Sequence, residues 1–192
     1  MRASLQPVIR WIEPGSQVLD LGCGDGELMA HLQAQGCKGY GLEIDKDCIV
    51  KSIEKGVNVI EQNLDDGLTN FADKSADTVV MTQALQATRR PDLVLAEMLR
   101  VGRQAIITFP NFAHISHRYQ LGLLGRMPVS KSLPYQRLDT PNIHHSTFYD
   151  IEQLCKAQHA TIIDRQVIGG TLASMWPNLL GELALFRVRG ES

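Results

Sequence analysis

Val18-Leu19-Asp20-Leu21-Gly22-Cys23-Gly24-Asp25-Gly26 decides the fold. A short apolar strand runs straight into a G-x-G-x-G turn, and residues 27–35 continue as a helix ended by Gly36. Glycines in such a turn let the backbone take positive φ and let another group approach without meeting a Cβ. Upstream, residues 2–12 have helical spacing, with Leu5, Val8, Ile9 and Ile12 on one side, and Pro14-Gly15 turns the chain. Downstream, strand and helix alternate. Residues 38–44 read as a strand, 45–55 as a helix closed by Gly56, and 57–62 as a third strand. Residues 76–82 follow as a fourth strand whose Val79-Val80-Met81 run is apolar on both faces, as a central parallel strand requires. A proline-led helix over 91–101 and a strand over 104–109 come next. After a long interruption, a helix over 152–158 and two closing strands over 160–168 and 182–188 complete the pattern. The prediction is an α/β domain of residues 1–192, with seven strands in a mostly parallel, helix-covered sheet.

Two cofactor classes compete for a glycine turn in this setting. The dinucleotide fingerprint G-x-G-x-x-G would place its last glycine at position 27, where this chain has Glu27. A glutamate in the first helical turn repels a pyrophosphate. S-adenosylmethionine (SAM), or its product S-adenosylhomocysteine, has an amino-acid group in place of phosphate, and SAM adds a sulfonium. Acids around the loop then become favourable, and Asp20 and Asp25 fit. At the tip of the second strand, Glu43 has two oxygens suited to ribose hydroxyls, and Ile44 offers an apolar face to adenine. Asp45 reads as the N-cap of the next helix. After the third strand, Asn63 and Asp65 are both placed to accept from the adenine amino group, and their register stays open. Gln83, after the fourth strand, falls near the methyl group. The predicted cofactor-binding set is Asp20, Gly22, Cys23, Gly24, Asp25, Gly26, Glu43, Ile44, Asn63, Leu64, Asp65 and Gln83.

The bulk properties narrow the setting. In 192 residues with a formal charge of −2 there is no global basis for attraction to nucleic acid or to a membrane surface. No apolar run reaches spanning length and residues 1–17 lack signal-peptide features, so a cytoplasmic location is expected. Cys23, Cys37, Cys48 and Cys155 show no paired spacing and are expected to be reduced. The segment 111–147 breaks the rhythm. It is too long for an ordinary connection and sets Arg118, Arg126, Lys131 and Arg137 against Asp139 alone, a balance of +3 that leaves −5 for the rest. It reads as a lid or a partner-binding surface inserted after the fifth strand, with a packed decoration as the plainer alternative.

Residues 19–26, Glu43 and the two later strand ends resemble the class I SAM-dependent methyltransferases over about residues 15–110, which implies their Rossmann-like sheet. A closer resemblance spans nearly the whole chain. Trp11-Ile12 before Pro14-Gly15, Leu85-Gln86, Phe109-Pro110-Asn111-Phe112, Gly125-Arg126-Met127-Pro128-Val129-Ser130, Leu133-Pro134-Tyr135 and Asp139-Thr140-Pro141-Asn142-Ile143-His144 are similar to the MetW proteins of bacterial methionine biosynthesis. That resemblance implies a methyltransferase-like protein working with a homoserine O-acyltransferase. The chain departs from the family pattern at Gln136-Arg137 and His145-Ser146.

His114, His117, His144, His145, Tyr135 and Asp139 all fall in the inserted segment. Their residue types admit a general base or a metal site, but exposed or capping histidines are the simpler reading and no metal ligands are assigned. The residues after the fourth strand, Gln83-Ala84-Leu85-Gln86, form no base-methylating motif, which argues against a nucleic-acid acceptor. Three roles remain. They are a SAM-binding accessory subunit that modulates the acyltransferase, a methyltransferase acting on a small anionic acceptor, and a scaffold without ligand. The intact glycine loop and Glu43 weigh against the third.

Overall fold

The computed structural model describes residues 5–191. Arg2 to Ser4 of the predicted first helix lie outside that range. Seven strands form one sheet: β1 Gln17–Leu21, β2 Lys38–Glu43, β3 Val59–Glu61, β4 Ala76–Thr82, β5 Gly102–Pro110, β6 Ala160–Gly169 and β7 Gly181–Gly190. Their order across the sheet is β3-β2-β1-β4-β5-β7-β6. The first five are parallel, and β7 runs antiparallel between β5 and β6. The helices are α1 Leu5–Arg10, α2 Glu27–Ala34, α3 Lys46–Glu54, α4 Pro91–Val101, α5 Ile115–Gly122, α6 Phe148–Ala157 and α7 Pro177–Leu180. The direction of strand succession reverses between β1 and β4, the place where open α/β sheets leave a crevice. No helix among the described residues is long and apolar enough to cross a membrane.

The central strands bury both faces because successive side chains alternate. Val80, Ile106 and Leu185 join α1 and α2 in one core, while Val79, Met81, Ile107 and Phe186 join α4 and α6 in the other. In the second core Phe109 sits edge-on to Phe186 at 5.5 Å and to Phe148 at 6.0 Å, which locks α6 onto the antiparallel end of the sheet. Arg100 of α4 donates to Leu68 O and Phe71 O and pairs with Glu97 and Asp73, and so holds down the connection before β4.

The segment 111–147 has more order than its sequence suggests. Helix α5 forms within it, capped by His114, whose Nδ1 accepts from Ser116 N. Histidine is not a residue type that announces a helix start. Asn111 anchors the segment's entry. It is fully buried, and its Nδ2 donates to the carbonyls of Asn178 at 3.0 Å and Gly181 at 2.8 Å, while Oδ1 accepts from Ala113 N. His117, 1% exposed, links Asn111 O at 3.1 Å to Ser130 Oγ at 2.8 Å. A Thr147–Asp150 capping box ends the segment and starts α6. Midway, the N–H groups of Ile143 and His144 both donate to Gln86 O, fastening the segment to the turn after β4.

Two outcomes follow from these anchors. Asn111→Ala strands buried carbonyls at the base of α7 and should cost about 2 kcal/mol, seen as a melting midpoint lower by about 4–8 °C. Burial, reinforced by nearby His114, holds the His117 pKa below its ordinary 6.5, against the opposing pull of Asn111 O and Glu182. The unfolded chain therefore takes up this proton first, so the stabilisation is complete above the ordinary value and is lost as pH falls toward the lowered one. Denaturant titrations at about pH 7.5 and about pH 5.5 should show wild type losing more stability than His117→Asn over the same interval.

Candidate functional site

The crevice at the β1–β4 reversal is built around the tip of β2. Gly22 N and Cys23 N both donate to Leu42 O, at 2.8 and 3.0 Å, as the loop leaves β1. Gly24 N then donates to Glu43 Oε2 at 2.8 Å, and Glu43 Oε1 accepts from Ile44 N at 2.8 Å and Asp45 N at 3.0 Å. A carboxylate has four lone-pair positions, so three are used and one remains on Oε2. Gly24 has φ +57 with open space where a Cβ would stand, whereas Gly22 at φ +68 would drive a Cβ to 2.8 Å from Ala84. The loop therefore needs Gly22 for packing, while Gly24 has no neighbour within 4 Å of where a Cβ would stand.

An open pocket of about 260 Å³ lies beside this clip. Seven of the predicted residues line it together: Gly22, Glu43, Ile44, Asn63, Leu64, Asp65 and Gln83. Ile44 is 58% exposed, an apolar surface next to the carboxylate. Asn63 caps the 3-10 turn Leu64–Asp66 through Oδ1 and Asp65 N, and Asp65 Oδ1 in turn accepts from Arg89 N at 2.8 Å. Gln83 holds a left-handed φ of +54, fixed by its N–H to Thr108 O and Oγ1. That conformation is uncommon outside glycine and tends to be retained at sites with a job. Leu42, Gln62, Thr82, Ala84, Ala87 and Thr88 complete the lining and were not singled out from sequence. Proximity to the ends of β2, β3 and β4 was the only signal that could have found them. The lining contains carboxylates and no lysine, arginine or histidine.

The other five predicted residues, Asp20, Cys23, Gly24, Asp25 and Gly26, do not line this pocket; they lie at the end of β1 and in the loop after it. Asp20 is fully buried at the end of β1. Cys23 packs so tightly against β2 that a Cβ on Gly41 would stand 2.5 Å from its Sγ. Burial, then the charges of Asp20 and Glu43, push the Cys23 thiol up to about 12, so this cysteine is protonated and inert. Asp25 pairs with Lys55 at 2.6 Å, which turns at least one of its oxygens toward α3. Gly26 lies against Ser52, whose Oγ donates to Gly24 O at 2.9 Å and closes the loop from the α3 side. All four cysteines are free.

The histidines of the inserted segment are engaged in structure. His114 caps α5, His117 is buried between Asn111 and Ser130, His144 lies with Nε2 3.4 Å from Arg89 O, and His145 stacks on Phe112 at 4.5 Å. Among the described residues no group of three histidine, cysteine or acidic side chains is arranged to hold a metal ion.

The sequence and the fold both have counterparts. The family model described as "Methionine biosynthesis protein MetW" matches residues 2–188. The bifunctional methionine biosynthesis protein MetXA/MetW of Rhodopirellula baltica is 34% identical over 172 residues, covering 84% of this chain but only 27% of that protein. This chain thus spans about a quarter of that relative's length. Among solved structures, an S-adenosylmethionine-dependent methyltransferase from Mesorhizobium loti superposes with a TM-score of 0.74 at 15% identity, covering 98% of both chains. Magnesium protoporphyrin IX methyltransferase from Synechocystis PCC 6803, solved with bound S-adenosylhomocysteine, gives 0.72 at 16% identity, covering 98% of this chain and 82% of that one. At such identities the likeness is one of fold, and the fold is that of the class I SAM methyltransferases.

Proposed function

The chain belongs to the MetW family of methionine-biosynthesis proteins, and from that premise we propose that it binds SAM in the β1–β4 crevice and acts as an accessory, regulatory partner of homoserine O-acyltransferase. The observation that carries the cofactor half is the clip of Gly24 and Glu43 beside exposed Ile44. Glu43 keeps one acceptor position on Oε2 for a ribose hydroxyl, and its fixed plane means that this acceptor is already oriented before a ligand arrives. Ile44 and Leu64 offer apolar contact to a base, with Asn63 and Asp65 at its polar edge. A lining of carboxylates without cations favours a sulfonium or ammonium over a phosphate. When bound, the cofactor supplies an electrophilic methyl group on sulfur.

The partner half is supported by the fused relative, in which a MetW portion is joined to one named MetXA. Joining two modules raises their effective concentration, an arrangement that benefits proteins that act together. The regulatory reading is supported over methyl transfer by the lining itself. It offers no histidine, lysine, tyrosine or cysteine, Glu43 is held by three backbone N–H groups and Asp65 by Arg89 N, so it is poorly equipped for an acceptor that must lose a proton.

Calorimetry should show SAM or S-adenosylhomocysteine binding to wild type and no binding of NAD. Glu43→Ala removes both the ribose acceptor and the tie to Gly24, and should weaken binding by roughly 2–4 kcal/mol. Gly24→Val forces a β-branched side chain into positive φ, which should break the tie to Glu43 Oε2 and abolish binding. Acyltransferase assays with the purified partner should change with SAM when wild type is present and stay flat with Glu43→Ala. Unchanged SAM affinity in both variants would place the nucleoside elsewhere. A methylated small product formed from SAM would replace the accessory role with the alternative, an enzyme acting on a small anionic acceptor.

A further inference from the structure

A groove of about 700 Å³ lies on the inserted segment, lined by Arg126 and Arg137 together with Met127 and Val129. Neither guanidinium has an ion pair among the described residues. Beside the groove the same stretch exposes large apolar side chains, Leu138 at 80% and Leu123 at 78% among them. Scattered apolar residues are normal on a surface, but several within some 20 residues, rimmed by unpaired cations, have the composition of an interface.

The groove is preformed. Gln120 on α5 and Val129 exchange two hydrogen bonds, Nε2 to Val129 O and Val129 N to Oε1, each 3.2 Å. Arg126 N donates to Gln120 O at 3.1 Å, and Ser130 N to Leu133 O at 2.9 Å. Ser130 is in turn tied to buried His117. A surface held by these bonds loses little freedom on binding, which favours a protein partner over a loop that must first be ordered.

We propose that this groove is the docking surface for the partner, and that it takes a carboxylate-bearing, apolar segment of the acyltransferase. The proposal rests on the partnership argued above. Charge complementarity selects the occupant, because the segment is +3 on a chain that is otherwise −5. Two guanidiniums and two apolar side chains in one lining match carboxylates beside a hydrophobic anchor. A nucleic-acid backbone would face −5 from the remainder of the chain, and the groove lining has only cations, amides and aliphatic groups, with no aromatic ring for stacking.

The test measures binding of the purified homoserine O-acyltransferase of the same organism to the full chain, alongside SAM calorimetry on each variant. Arg126→Glu/Arg137→Glu should weaken acyltransferase binding by at least about tenfold. It should also flatten the decline that wild type shows between about 0.05 and about 0.5 M salt. Because exposed arginines contribute little to folding, melting and SAM affinity should stay near wild type. Lys38→Glu/Lys156→Glu changes net charge equally at a distance and should leave binding intact. Equal loss in both double variants, or full binding by the Arg126/Arg137 variant, overturns the proposal. So does a wild type that self-associates through this face and ignores the acyltransferase. Loss of SAM binding in wild type with the acyltransferase result as expected removes the cofactor reading and leaves the docking surface standing.

Discussion

Leu42 O and the Glu43 carboxylate, adjacent acceptors at the tip of β2, together take five backbone N–H groups, from Gly22, Cys23, Gly24, Ile44 and Asp45. Three belong to the loop leaving β1 and two to the entry of α3, so one strand end fixes the relative position of two connections. Asp45 then caps α3 through Cys48 N at 2.9 Å, and α3 returns Ser52 Oγ to Gly24 O. The circuit closes from loop to strand to helix and back to the loop. Hydrogen bonds to a charged acceptor are worth about 1.5–3 kcal/mol each, and Glu43 accepts three from the backbone. Glu43 is thus first a structural keystone, and its remaining lone pair is presented to the crevice as a consequence.

The turn Leu85–Ala87 links this crevice to the inserted segment. Gln83 and Ala87 line the pocket, and Gln86 Nε2 returns to Gln83 O at 2.7 Å. Gln86 O accepts from Ile143 and His144 on the far side, while Arg89 N is held by Asp65. Every group between pocket and insert is therefore one hydrogen bond from the next. Gln83 at one end keeps its left-handed φ because its N–H is held by Thr108 O and Oγ1.

Much of this was legible from the residues. The strand–glycine turn–helix run, the acid at the next strand end and the alternation of elements specified the class I methyltransferase fold and the crevice at its strand ends, because each is a local pattern with a local cause. The strands fell within two residues of expectation at almost every end, and seven predicted site residues meet in one pocket. What escaped was set by distance along the chain. Asp25 turns toward Lys55, Asn111 serves carbonyls near 178–181, and Gln86 meets 143–144. Nothing in the spacing of those residues encodes such meetings. Helix α5 escaped for a different reason, its histidine cap and modest amphipathy giving no start signal. The left-handed Gln83 escaped because glutamine carries no conformational mark.

Charge divides the molecule into two territories, and the division bears on how the two proposed binding events would coexist. The crevice presents Glu43 and Asp65 and no cation, while the insert groove presents Arg126 and Arg137 with no acid among its lining residues. Screening limits each field to about 8–10 Å at ordinary ionic strength, so each site acts on what comes near it with little cancellation by the other. On the proposed reading, a cationic sulfonium would be drawn to the crevice and turned away from the groove. A carboxylate-bearing segment meets the opposite preference at both places. The two proposed ligands would thus have no electrostatic reason to compete, and the bonded turn at Gln86 is the structural link between the two places.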